Sequence, residues 1–111
     1  MPTMSKSVTT TRKRRKAFAP VHPGAVIEHD YLEPLGMSQY ALAKALRITP
    51  ARLGEIIRGK RAITPDSALR LARYFGTSAE FWIGMQAQYD LERARDALAG
   101  SIDREVVPRA A

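Results

Sequence analysis

From His22 onward, apolar residues fall at helical spacing and are interrupted at short intervals by proline, glycine and hydroxyl side chains. Pro23 opens a first helix carrying Ile27, Tyr31 and Leu32, with Pro34 and Gly36 as its stop. Ser38 is placed as the N-cap of a second helix over 39–46, where Leu42 and Leu46 share a face. Thr49 caps a third helix, Pro50 fills its first turn, and Gly59 ends it near Arg58. Leu53, Ile56 and Ile57 form the apolar side of that helix. The same signature in Thr64-Pro65-Asp66 starts a fourth helix over 65–75, stopped by Gly76. Ser78 caps the fifth and longest, over 79–98, with Glu80 in the first turn where the helix dipole favours an acid. No segment alternates strictly enough to read as a strand. The expected fold class is therefore all-α, a five-helix domain over 21–98 followed by an irregular C-terminal tail over 99–111.

The short pair at 38–58 has a specific geometry. The second helix ends at Leu46, the turn Arg47-Ile48-Thr49 follows, and the third helix starts at Pro50. That spacing predicts a helix-turn-helix whose second helix enters a DNA major groove. Ala43 is small where the helices cross, and Ile48, Leu53 and Ile56 supply the apolar contacts that fix the crossing. Ala51, Arg52, Glu55 and Arg58 are left over for recognition. Arg52 is within reach of a guanine edge or a phosphate, and Glu55 is suited to accept from cytosine N4. Gln39, behind the Ser38 cap, is expected to bond a phosphate together with the helix amides. Lys60 and Arg61 are expected phosphate clamps. The full expected DNA-binding set is Ser38, Gln39, Thr49, Ala51, Arg52, Glu55, Arg58, Lys60 and Arg61.

The fifth helix carries two apolar stripes. Trp82, Met85 and Tyr89, with Phe81 beside them, are expected to close the core. Ile83, Ala87, Leu91, Ala94 and Leu98 lie on roughly the opposite side. A surface helix of a monomer needs only one such stripe, so the second is expected to be a homodimer interface. Two-fold operators favour the same arrangement.

Charge sharpens this reading. The net charge is +7, and Lys6, Arg12, Lys13, Arg14, Arg15 and Lys16 stand in a first segment with no acid. Residues 1–20 are expected as a disordered basic tail. Within 38–61, Lys44, Arg47, Arg52, Arg58, Lys60 and Arg61 face Glu55 alone. Clustered positive charge points to a polyanion, with nucleic acid ahead of a membrane surface. No apolar run approaches the roughly 20 residues of a membrane span, and no apolar stretch follows the basic start as a secretory signal requires. A cytoplasmic protein is the expectation. There is no cysteine, which excludes disulfides and thiolate zinc sites. His22 and His29 are the only histidines, and Glu28, His29 and Asp30 are neighbours that point in different directions on a helix, so no metal, cofactor or catalytic site is expected. Glycine-rich phosphate loops and nucleophile elbows are absent, which leaves an enzyme as the poorest reading.

The run HPGAVIEHDYLEPLGMSQYALAKALRITPARLGEIIRGKRAITPDSALRLARYFGTSAEFWIGMQAQYDLERA closely resembles the HigA-type antitoxins, a branch of the phage-repressor-like helix-turn-helix class. The motifs that carry the resemblance are His22-Pro23-Gly24, the segment 59–64 (GKRAIT), 68–72 (ALRLA), Gly76-Thr77-Ser78, Phe81-Trp82 and Tyr89-Asp90-Leu91. The resemblance implies a dimer that binds double-stranded operator DNA in its own promoter. It also implies a cognate HigB-like toxin, a small ribonuclease that the antitoxin neutralises. A solitary transcriptional repressor needs the same DNA-reading module, and one chain does not separate the two. Arg47 departs from the glycine that many such turns carry, at a cost of about 1 kcal/mol if φ is positive there. The basic tail is longer than the family pattern requires.

Overall fold

The computed structural model describes residues 20–110, so the expected disordered tail over 1–20 lies, Pro20 apart, outside the described residues. The described chain is helical, with no strand, and its five helices start where the punctuation placed them. The first, α1, is composite: a turn at Pro23–Val26, a π-helical stretch at Ile27–Leu32 and a last turn at Glu33–Leu35. It is followed by α2 (Gln39–Leu46), α3 (Pro50–Ile57), α4 (Pro65–Phe75) and α5 (Ala79–Glu105).

Each helix start has a side-chain cap. The Ser38, Thr49, Thr64 and Ser78 hydroxyls accept from the N–H groups of Ala41, Arg52, Ser67 and Phe81, at 3.0, 3.1, 3.3 and 3.0 Å. These bonds satisfy donors that the first helical turn leaves open. His22 does the same for α1, its Nδ1 accepting from the Gly24 N–H at 2.9 Å.

Two expected boundaries change. Pro34 does not stop α1 but sits inside its last turn. A proline has no N–H for the ladder and its ring needs space, and the widened π turns ahead of it accommodate both. Gly36, at φ 62°, ends the helix instead. At the other end, α5 runs to Glu105 rather than 98, so most of the expected irregular tail is helix. Gly100 does not take the left-handed turn that would end a helix. Val106, already extended, ends it two residues before Pro108, and Arg104 complements the dipole in the last turn.

The core gathers one side of every helix: Ile27 and Leu32, Leu42 and Leu46, Leu53 and Ile56, Ala68 and Leu71, and Trp82. Trp82 is fully buried, and its indole N–H donates to Thr77 Oγ1 at 2.8 Å. Gly24 lets α1 touch the backbone of α3, because a Cβ there would lie 2.0 Å from the Ile56 carbonyl oxygen. Met85 packs against the core as expected, and Tyr89 is half-buried, edge-on to His22. Phe81, expected beside them, is exposed and only edges onto Trp82.

Candidate nucleic-acid interface

The α2–α3 turn is tight. Ile48 N–H returns to the Ala43 carbonyl at 3.1 Å, and Ala43 is fully buried at the crossing. Arg47 adopts φ 62°, ψ 42°, and is the one non-glycine residue with positive φ among those described. That conformation costs an L-residue about 1–2 kcal/mol. The turn delivers α3 with Ala51, Glu55 and Arg58 at i, i+4 and i+7 along one side. Ala51 and Arg58 are exposed, and Glu55 is partly so.

Arg52 does not join them. Its guanidinium Nη2 turns back to α4, donating to Asp66 Oδ1 at 2.9 Å and to Ser67 Oγ at 2.8 Å. Arg70 joins the same cluster, donating through Nε to Asp66 Oδ1 at 2.7 Å and through Nη1 to the Leu46 carbonyl at 3.0 Å. Three helices are thus tied together: the last turn of α2, the first turn of α3 and the first turns of α4. Arg70, and after it Arg52, hydrogen-bond the Asp66 carboxylate and hold its pKa below the ordinary value. Asp66 and Arg70 stand four apart, a spacing legible in the sequence, whereas Arg52 and Asp66 meet only through tertiary packing.

Glu55 is also engaged. Its Oε1 receives Arg61 Nε at 2.8 Å and Arg61 Nη2 at 2.6 Å, and Oε2 has no partner among the described residues. The Arg58 guanidinium folds over Gly54, whose missing side chain makes the room. Lys44, Arg47, Arg58 and Lys60 have no carboxylate partner among the described residues. Lys44 and Arg47 were not in the expected set. They line an open cleft of about 500 Å³ with Ile48, Thr49 and Arg52 beside the start of α3. Ser38 and Thr49 use their hydroxyls as caps, and Gln39 is exposed at the start of α2.

The expected subunit stripe is split. Ile83 packs partly against the core, while Ala87, Leu91 and Leu98 are exposed and Ala94 is half-buried. The longer helix adds Ile102 to the exposed apolar residues. Among the described residues no group of His, Asp and Glu is placed to hold a metal, and no helix is long and apolar enough to cross a membrane.

Residues 29–82 match the helix-turn-helix family. The chain is 53% identical over 74 residues to virulence-associated protein I of Dichelobacter nodosus, covering 67% of this chain and 68% of that one. It is 31% identical over 83 residues to antitoxin HigA-1 of Vibrio cholerae, covering 75% of this chain and 78% of that one. Among solved structures, the Pseudomonas aeruginosa antitoxin HigA with the higBA promoter superposes with a TM-score of 0.79. It shares 38% identity and aligns over 82% of this chain and 99% of that one. Fold, helix-turn-helix geometry and identity over most of both chains agree: this chain belongs to the HigA antitoxin family of helix-turn-helix proteins.

Proposed function

We propose that this chain binds operator DNA as a homodimer through α3, represses the operon that encodes it and neutralises a ribonuclease toxin of the HigB type. The observation that carries the reading is the exposed side of α3. Ala51, Glu55 and Arg58 stand there beside Lys60 and Arg61, in a chain 38% identical to an antitoxin solved with its promoter. Ala51 fits a thymine methyl, Glu55 Oε2 is free for cytosine N4, and Arg58 fits a guanine edge or a phosphate. Ser38, Gln39 and Thr49 sit at helix N-termini, where amides and dipole favour phosphate. Lys60 and Arg61 extend the phosphate contact.

Arg52 takes a different part in this reading. Held by Asp66 and Ser67, it fixes the pitch of α3 and reads no base directly. Subunit pairing uses Ala87, Leu91, Ala94 and Leu98, with Ile102 beyond them. The cytoplasm is the proposed compartment, where both operator and toxin are met.

The test is a gel shift with the DNA upstream of the chain's own reading frame, together with co-expression of the adjacent frame and purification through a tag on this chain. A specific shift and a co-purified ribonuclease are expected. A shift without any co-purified partner leaves a solitary repressor, and no shift at all overturns the reading.

A further inference from the structure

Gln86 is a buried amide in the middle of a helix, a costly place for a polar group unless both of its ends are bonded. Both are. Its Oε1 accepts the Ile63 N–H at 2.8 Å across 23 residues of sequence, and its Nε2 donates to Asp90 Oδ1 at 3.0 Å. Asp90 thereby fixes which way the amide faces, with its oxygen toward the 58–64 loop. That loop joins α3 to α4 and carries Lys60 and Arg61.

The loop is otherwise held mainly from the α3 side. Gly59 N–H returns to the Ile56 carbonyl at 3.0 Å, Lys60 N–H to the Glu55 carbonyl at 2.8 Å, and the Arg61 side chain to Glu55. On the far side, Ile63 is buried, and its N–H has Gln86 as its hydrogen-bond acceptor. A second contact supports the same region. His22 lies beside Gly59, where an added Cβ would stand 3.7 Å from its ring, and it meets Tyr89 of α5 edge-on, with ring centroids 4.8 Å apart.

We infer that Gln86 is a positioning residue for DNA binding: it straps the 58–64 loop to α5 and so sets where Lys60 and Arg61 meet the phosphate backbone. This rests on the operator-binding reading above. Gln86 touches no DNA itself. Its effect passes through the Ile63 N–H to the two cations just before it in the chain. It also joins the phosphate-contacting loop to the helix that carries the proposed subunit contact.

The experiment uses the full chain and its own upstream duplex, with affinity measured from about 50 to 200 mM salt, the range over which phosphate contacts declare themselves. Gln86→Met keeps the length and removes both hydrogen bonds. It should weaken operator and scrambled DNA alike and flatten the salt slope by about one to two, one for each phosphate that a cation no longer neutralises. Gln86→Glu combined with Asp90→Asn retains an acceptor for the Ile63 N–H and swaps the donor to residue 90, so the two side chains stay bonded, and it should recover most of the slope. If the methionine variant does not fold, Gln86→Asn, one methylene too short to reach Ile63, takes its place with the same expected slope. Lys60→Ala with Arg61→Ala should then cost less in either variant than in the parent chain, because those two cations are already loosened.

A folded Gln86→Met or Gln86→Asn protein with the parent's salt slope overturns the inference, as do fully additive losses. Failure of the parent chain itself to bind DNA overturns the operator reading instead, so the two failures are distinct.

Discussion

The exposed side of α3 and the far half of α5 are both surfaces the core does not use, but they are built on opposite principles. On α3 the side chains are charged or small, and most are restrained by neighbours: Arg52 by Asp66 and Ser67, Glu55 by Arg61, Arg58 over Gly54. On α5 beyond Gln88 the exposed residues include Leu91, Leu98 and Ile102, each 46–48% accessible and outside the core cluster. A restrained polar surface suits recognition of a rigid polyanion, since little side-chain freedom is lost on binding. An exposed apolar stripe suits burial against another apolar surface. The two surfaces occupy different helices and can be altered one at a time.

The most damaging substitution belongs to the scaffold beneath the reading side. Gly24→Ala places a methyl 2.0 Å from the Ile56 carbonyl and must push α1 off α3, with an expected loss of more than about 3 kcal/mol. Gly84→Ala, where nothing lies within 4 Å of the new methyl, should be neutral or stabilise α5 by up to about 1 kcal/mol. Urea melts of both measure the contrast, and equal stabilities would mean that α1 and α3 do not approach as described.

Next comes the apolar surface. Leu91→Asp combined with Leu98→Asp should leave a folded monomer, because both side chains are already about half exposed in the subunit. Two carboxylates forced against apolar partners cost several kcal/mol, so the dimer should be lost and operator affinity should fall with it. Light scattering and circular dichroism together check this; an unaltered dimer would move the subunit contact elsewhere.

On the reading side, the expected losses are of order 1–3 kcal/mol. Glu55→Ala should relax preference at one base pair, whereas Arg52→Ala should weaken every duplex about equally, by loosening α3 from α4. Affinities for operator and single-base variants decide it. A base-specific loss for Arg52→Ala would return that residue to direct readout.

A pH dependence of stability should be weaker than any of these. Burial lowers the His22 pKa below its ordinary 6.5, and the Asp90 charge offsets part of that shift. The folded state therefore holds His22 neutral, as its acceptor role toward the Gly24 N–H requires. Because the unfolded chain binds the proton first, this contribution is complete above pH about 6.5 and declines as pH falls toward the folded value. Denaturant midpoints at pH 7.5 and 5.5 should show the decline, and His22→Asn, which keeps a capping oxygen, should reduce it.

How much of this was legible in the sequence depends on distance along the chain. Thr49-Pro50, Thr64-Pro65, Ser78, Gly36 and Gly76 mark helix ends through local chemistry, and the helix-turn-helix follows from them. The end of α5 escapes such reading because Gly100 is conformationally permissive and takes the helical option. The Arg52–Asp66 and Gln86–Ile63 contacts join residues 14 and 23 apart, and no local pattern marks them. Ile83 fits the outward stripe by spacing alone, yet it packs partly against the core.

Trp82 is the only tryptophan in the chain, and the fold encloses it completely, with Tyr31, Phe75 and Phe81 around the ring. Its emission should accordingly lie toward the blue in the native protein and shift to the red on unfolding. The indole is buried in the core, away from both the exposed side of α3 and the Leu91–Ile102 stripe. The molecule thus carries its own optical gauge of folding, one that substitutions at either recognition surface should leave undisturbed.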